Sequence, residues 1–179
     1  MSHGIKHRRS QKLIDFACKF ATVAHGDQVR KYTGESYIEH PIAVARLVAT
    51  VTDDCEVISA AFLHDVLEDT AVTFSEIAAA GFGVGIAKLV NEVTDVSRQA
   101  DGNRAYRKSL DLEHLAVASD KAKTIKLADL IDNSGSICKH DERFAVVYMR
   151  EKTALLGVLK RGDARLYSKA LQIVQDYYA

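Results

Sequence analysis

His64, Asp65, Glu68 and Asp69 crowd the stretch AAFLHDVLEDT, residues 60–70. Helical spacing sets His64 and Glu68 one turn apart, and likewise Asp65 and Asp69. Two acid-bearing ridges then lie side by side on one edge of an otherwise apolar helix. Three carboxylates and an imidazole half-sunk in apolar surroundings are costly without a compensating positive charge. A divalent cation supplies that charge at a single point. Histidine and carboxylate donors suit a first-row ion such as manganese, iron, cobalt or zinc, and not a thiolate centre. Two further residues extend the set: His40, beside Pro41 at a helix start, and Asp129, an acid among Ile125, Leu127, Leu130 and Ile131. Taken singly, His40 reads as a core histidine and Asp129 as a stray acid. Beside the HD and ED pairs, the metal reading is the stronger.

The elements that must position these residues are helices. The chain has one proline and many 3.6-residue apolar patterns, with no long alternating strand, so the fold class is all-α. A first helix is expected over residues 11–25, ending near Gly26. The polar loop GDQVRKYTGES follows, with Arg30 and Lys31 adjacent. Pro41 suits the first turn of the next helix, where its missing N–H costs nothing. Asp54 is placed to cap the third helix, which carries the HD and ED pairs. Thr73 with Glu76 fits a capping box. Gly81, Gly83 and Gly85 lack a preceding strand, so they read as a helix–helix turn and not as a phosphate loop. Residues 98–102 read as a mobile polar loop, Asn103 opens a helix, and Asp120 is expected to cap the next. Two C-terminal helices, near 142–160 and 163–178, join at Gly162, which reads as a C′ glycine.

The 179 residues are 47% apolar, enough for a single domain over residues 1–179 with its own core. Lys+Arg and Asp+Glu both number 24, and this zero balance argues against a dedicated DNA or RNA binder. Cys18, Cys55 and Cys138 form neither a CxxC pair nor a disulfide framework, so a reducing, cytoplasmic setting is expected. No stretch reaches the length of a membrane span, and MSHGIKHRRS lacks the apolar core of a signal peptide. Its HRR run reads as a solvated tail, with residues 1–10 loose.

The order His40-Pro41, His64-Asp65, Asp129 resembles the HD-domain metal-dependent phosphohydrolases. The stretches RKYTGESYIEHPIAVA, AAFLHDVLEDT, FGVGIAKLVNEVT and KTIKLADLIDN resemble the hydrolase domain of the RelA/SpoT alarmone enzymes. In size the chain resembles their small, stand-alone relatives, and the likeness runs from about Phe16 to the last helix. The resemblance implies a single HD-type helical bundle. It implies a hydrolase that removes the 3′-pyrophosphate of guanosine tetra- or pentaphosphate, with manganese or another first-row divalent ion. His40, His64, Asp65 and Asp129 would be the metal ligands. Glu68 and Asp69 match the family's water-activating ED pair. Arg30 and Lys31 match the RK pair near the substrate phosphates, Asn133 the asparagine that faces the nucleotide, and Tyr148 a substrate-contacting tyrosine. The implied partner is a small nucleotide, with no DNA and no membrane. Leu130, Asp132 and Ser36 depart from the residues usual in the family, and none of the proposed ligands is missing.

Two other classes stay open. One is an HD phosphohydrolase of another nucleotide, such as NADPH, a deoxynucleotide or a cyclic dinucleotide. The other is a helical module that senses a nucleotide or holds a structural metal without catalysis. The RK pair and HDVLEDT favour the alarmone hydrolase. The ED pair argues against a purely structural site, which has no use for two extra acids.

Overall fold

A computed structural model describes the backbone of residues 2–179 and the side chains from residue 8 onward; Met1 lies outside the described residues. The chain divides into two helical units, one ending at Asn91 and one running Glu92–Ala179. Among the described residues the extended structure amounts to a single antiparallel bridge, Val29 to Ser36. None of the described helices is long and apolar enough to cross a membrane.

In the first unit, α1 (Ser2–His25) and α2 (Glu39–Ala49) both pack on α3 (Cys55–Leu63). Helix α1 begins at Ser2, well before the expected Gln11. Of the HRR run, Arg8 and Arg9 are exposed, and the His7 side chain lies outside the described residues. Ala17 and Ala21 of α1, Val44 and Val48 of α2, and Ala60, Ala61 and Leu63 of α3 are buried and make the core. Their helical spacing is the amphipathic pattern that drives the packing. Gly26 (φ 52°) ends α1 in the left-handed conformation, its N–H bonding Thr22 O at 3.1 Å.

The remaining elements of this unit are short. They are α4 (Val66–Asp69), α5 (Phe74–Ile77), a π-helical turn (Ala78–Phe82) and α6 (Gly83–Val93), which runs on past Asn91. The Thr73–Glu76 capping box is present in both directions. Asp54 caps α3 through Glu56 N at 3.0 Å. Gly81 (φ 110°) and Gly83 (φ 74°) make the expected helix–helix turn.

The second unit holds α7 (Arg104–Ala116), α8 (Asp120–His140), α9 (Glu142–Val158) and α10 (Ala164–Tyr178). Helix α8 packs on α9 and α10, and α7 on α9. Every residue of α8 from Ala122 to Ile131 is buried. Lys123 is among them; its ammonium bonds Ala116 O at 2.9 Å and satisfies the C-terminal end of α7. Asn103 caps α7 through Tyr106 N at 3.0 Å. Residues 99–101 of the expected loop form a 3₁₀ turn.

Two sequence expectations are corrected here. Ser119, not Asp120, caps α8, through Ala122 N at 3.2 Å; the two residues are adjacent candidates, and the hydroxyl takes the cap. Gly162 is not a left-handed C′ glycine, since its φ is not positive. It is needed because the chain passes close over α8. A Cβ there would lie 2.7 Å from Leu127 Cδ1, 3.0 Å from Lys123 C and 3.1 Å from Thr124 N.

The loop after α6 is held by buried Asp111, which accepts from Val96 N (3.1 Å), Ser97 N (2.9 Å) and Lys108 Nζ (3.0 Å). Lys108 also bonds Asp95. Burial alone raises the Asp95 carboxyl, but Lys126 and Lys108 beside it win and hold it below its usual range.

Gly162→Ala should destabilise the fold by about 1–3 kcal/mol, because the new methyl meets backbone atoms that cannot move aside. Gly135→Ala, on an open face of α8, should be neutral or stabilising by up to about 1 kcal/mol. Urea unfolding midpoints check both. The depressed Asp95 carboxyl contributes stability that is present above the ordinary carboxylate pKa and lost as pH falls through its lowered folded value. Asp95→Asn should therefore be less stable at neutral pH and lose less stability than the parent on acidification, as measured by unfolding across an acid pH series.

Candidate metal centre

His40 is the second residue of α2 and is 2% exposed. Its position follows from the 36–40 turn: His40 N bonds Tyr37 O at 3.0 Å, and Pro41 follows inside the first helical turn. His64 also is 2% exposed. The stretch AAFLHDVLEDT is not one helix, as the spacing suggested. Helix α3 stops at Leu63, His64 and Asp65 form a turn, and α4 restarts at Val66. At the break, Glu68 N and Asp69 N both bond Asp65 O, at 3.1 and 2.9 Å. The break carries no proline or glycine, so nothing in the sequence marks it. It keeps the ED pair one tight turn beyond the HD pair.

The Ala61 carbonyl lies 2.8 Å from His64 Nδ1. A carbonyl can only accept, so Nδ1 carries a proton, and in the neutral ring this leaves Nε2 as the nitrogen that can bind an ion. That Nε2 lies 3.2 Å from His40 Nε2 and 3.1 Å from Asp65 Oδ2, and His40 Nε2 lies 3.4 Å from the same Oδ2. Two ligand atoms about 2.1 Å from one ion and roughly at right angles stand about 3 Å apart, so these separations fit a shared cation. The donor set, two imidazoles and a carboxylate, fits a first-row divalent ion.

Tyr37 ties this set to the ED pair. Its hydroxyl lies 2.7 Å from Asp65 Oδ2 and 2.7 Å from Asp69 Oδ2, so one phenolic proton serves two carboxylates. Burial first, and then the two acids, hold the phenol far above its ordinary value, so it stays a donor. Desolvation raises the Asp69 carboxyl, and the Tyr37 hydrogen bond opposes it. Gln28 braces the same corner: its Nε2 donates to Asp69 O at 2.7 Å, and its Oε1 faces His25 Nδ1 at 2.9 Å. Tyr37, Gln28 and His25 were not singled out from the sequence. For Tyr37 a signal existed, since it stands three residues before His40 and so one turn away.

Glu68 and Asp69 are exposed at residue level, and Asp65 is half-buried. The acids are therefore less sunk than the apolar run suggested. Arg30 is half-buried and Lys31 exposed, on the bridged turn closed by Arg30 N to Glu35 O at 2.8 Å. The Lys31 ammonium lies 4.8 Å over the Tyr32 ring.

The other expected residues belong to the second unit. Asp129 is 6% exposed on α8, with Lys126 Nζ at 3.1 Å and the Asn133 amide donating to its Oδ1 at 2.6 Å. Asn133 therefore steadies Asp129 from one turn away, and α8 runs on past Gly135 to His140. Lys126 is a further residue that the motif KLAD contained without its role being assigned. Leu130 is 1% exposed and part of the core. Tyr148 is buried on α9; its hydroxyl, close to Ser134, makes no well-formed hydrogen bond among the described residues.

Tyr37→Phe should leave the fold intact and weaken divalent-metal affinity by about 10–100-fold, because Asp65 loses its positioning donor. Chelator competition reads that affinity, and an unchanged value would remove Tyr37 from the metal's support.

A family model described as an HD domain matches residues 17–155. The Xenopus tropicalis protein named guanosine-3′,5′-bis(diphosphate) 3′-pyrophosphohydrolase MESH1 is 42% identical over 125 residues, which are 68% of this chain and 67% of that protein. The human MESH1 protein of the same name is 41% identical over 121 residues, covering 65% of each chain. A guanosine-3′,5′-bis(diphosphate) 3′-pyrophosphohydrolase of Aquifex aeolicus is 42% identical over 137 residues, 74% of this chain but only 18% of that longer protein. A solved structure, described as a metazoan ortholog of SpoT that hydrolyzes ppGpp, superposes with a TM-score of 0.81 at 31% identity, covering 92% of this chain and 95% of that one. From the matched span and this likeness in sequence and fold, the chain belongs to the HD-domain family.

Proposed function

We propose that the chain is a metal-dependent hydrolase that removes the 3′-pyrophosphate of guanosine tetra- or pentaphosphate. The observation that carries the reading is the meeting of His40 Nε2, His64 Nε2 and Asp65 Oδ2, with the ED pair one turn further on. The names of its relatives set the substrate class. In this reading residues 1–179 form one hydrolase domain working in the cytoplasm, where it lowers alarmone levels in the stringent response. Its ion is Mn²⁺ or another first-row divalent ion, and Asp129 is the fourth ligand.

When bound, that ion supplies Lewis acidity toward water and a phosphoryl oxygen. The chain's own residues do the rest. Tyr37 occupies Asp69 Oδ2, so Asp69 Oδ1 is the oxygen that accepts a proton from the attacking water. Glu68, on the same turn, relays it. Arg30 and Lys31 offset the negative charge of the pyrophosphate as it leaves. Asn133 and Tyr148 contact the nucleotide.

Incubating the protein with Mn²⁺ and a nucleotide panel, with products identified by mass, should yield GDP and pyrophosphate from guanosine tetraphosphate. Release of single phosphate from NADPH or a deoxynucleotide instead would replace this substrate assignment. Chelation should abolish turnover and added Mn²⁺ should restore it. The Glu68→Gln, Asp69→Asn double variant should lose at least about 100-fold in kcat while still binding metal. Undiminished turnover in that variant would end the catalytic assignment of the pair.

A further inference from the structure

The second unit contains a cavity of about 400 Å³ in the groove between α7 and α9. None of its lining side chains is assigned above to metal, water or nucleotide. We propose that it is a second ligand site, built for a small phosphate-bearing molecule with an apolar body.

The charges in the groove are unevenly matched. Its acids are already engaged: Asp95 and Asp111 by Lys108, and Glu151 by Arg104 through two bonds of 2.7 and 2.8 Å. Two cations that line it, exposed Arg150 and half-buried Lys152, enter no ion pair among the described residues. The Lys152 ammonium lies instead 4.7 Å over the ring of Tyr148, held by a cation–π contact. Burial pushes its amine down to about 8, with Lys126 and Lys108 working the same way against Asp129 and Asp95. An ammonium so placed, half-buried over a ring, is strengthened by an incoming anion. Arg150, two positions away on α9, also lines the groove, and its guanidinium suits the paired oxygens of a phosphate. Leu112, Leu115, Val147 and Leu155 form the walls, which accept an apolar body. The volume falls in the range of small-molecule pockets. The groove adjoins the residues of the hydrolase reading, since Lys126 lines it and pairs with Asp129 at 3.1 Å, and the chelator in the test below separates the two.

Phenyl phosphate, inorganic phosphate and phenol are suitable probes. Calorimetric titration of the full chain, with chelator present so that no metal recruits the probe, reads binding. Phenyl phosphate should bind, inorganic phosphate more weakly, and phenol least. The Arg150→Gln, Lys152→Met double variant should weaken phenyl phosphate by roughly tenfold or more, through loss of two charge-assisted contacts. Lys152→Arg should retain it. No binding, binding that requires metal, or equal affinity in the double variant would overturn the proposal. A second measurement needs no variant. Phenyl phosphate, and not phenol, should slow acylation of Lys152 by an amine reagent, as read by peptide mass. An acylation rate indifferent to phenyl phosphate would count equally against the site.

Discussion

The structure depends on two imidazoles and a carboxylate brought together almost out of water. His40 and His64 are each 2% exposed, and Asp65 Oδ2 lies within 3.4 Å of both Nε2 atoms. Such a gathering is unfavourable unless every polar atom has a partner. The neighbouring elements meet that demand. Ala61 O accepts a hydrogen bond from His64 Nδ1, and the Tyr37 hydroxyl donates one to Asp65. Helix α2 begins at Glu39, which sets His40 in its first turn, and α3 breaks after Leu63, so that His64 and Asp65 leave the helix together. Around them the apolar stripes of α1, α2 and α3 close a core that holds the two rings in place.

The same economy recurs in the second unit, where several buried charges are paired. Lys126 and Asn133 meet Asp129, Lys108 meets Asp95 and Asp111, and Lys123 closes the end of α7. Each of these contacts satisfies a group that would otherwise be costly to bury. Lys152 enters no ion pair among the described residues, and its ammonium lies over an aromatic ring. The contrast singles out the α7–α9 groove from the rest of the unit.

Much of this was legible in the sequence because it is local. The Asp54 cap, the Thr73–Glu76 box, the Asn103 cap and the Gly26 stop involve residues within a few positions of one another, where capping chemistry has few rivals. His40, His64 and Asp65 could be named because histidines and acids inside apolar runs need a reason to be there. Other features were hidden by their range. Tyr37 meets Asp65 across 28 positions, and Gly162 is required by a helix some forty residues earlier in the chain. The break at His64–Asp65 was hidden for another reason: no proline or glycine marks it, and Asp65 O, which accepts from Glu68 N and Asp69 N, starts the next turn. Ser119 and Asp120 show the finer limit, where two adjacent side chains can do the same job and tertiary fit chooses.

A last consequence follows from the burial of α8. From Ala122 to Ile131 that helix has no solvent-facing residue. Intolerance to substitution along it is thus a property of crowding as much as of chemistry. Leu127 and Leu130 should resist exchange as stubbornly as Asp129, although they do no chemistry. In a mutational survey the whole decapeptide would stand out as one block. What separates its working residues from its packing residues is the kind of replacement each tolerates. An isosteric amide at Asp129 keeps the shape and loses the charge, whereas an isomeric aliphatic at Leu127 keeps the volume and tests only the fit.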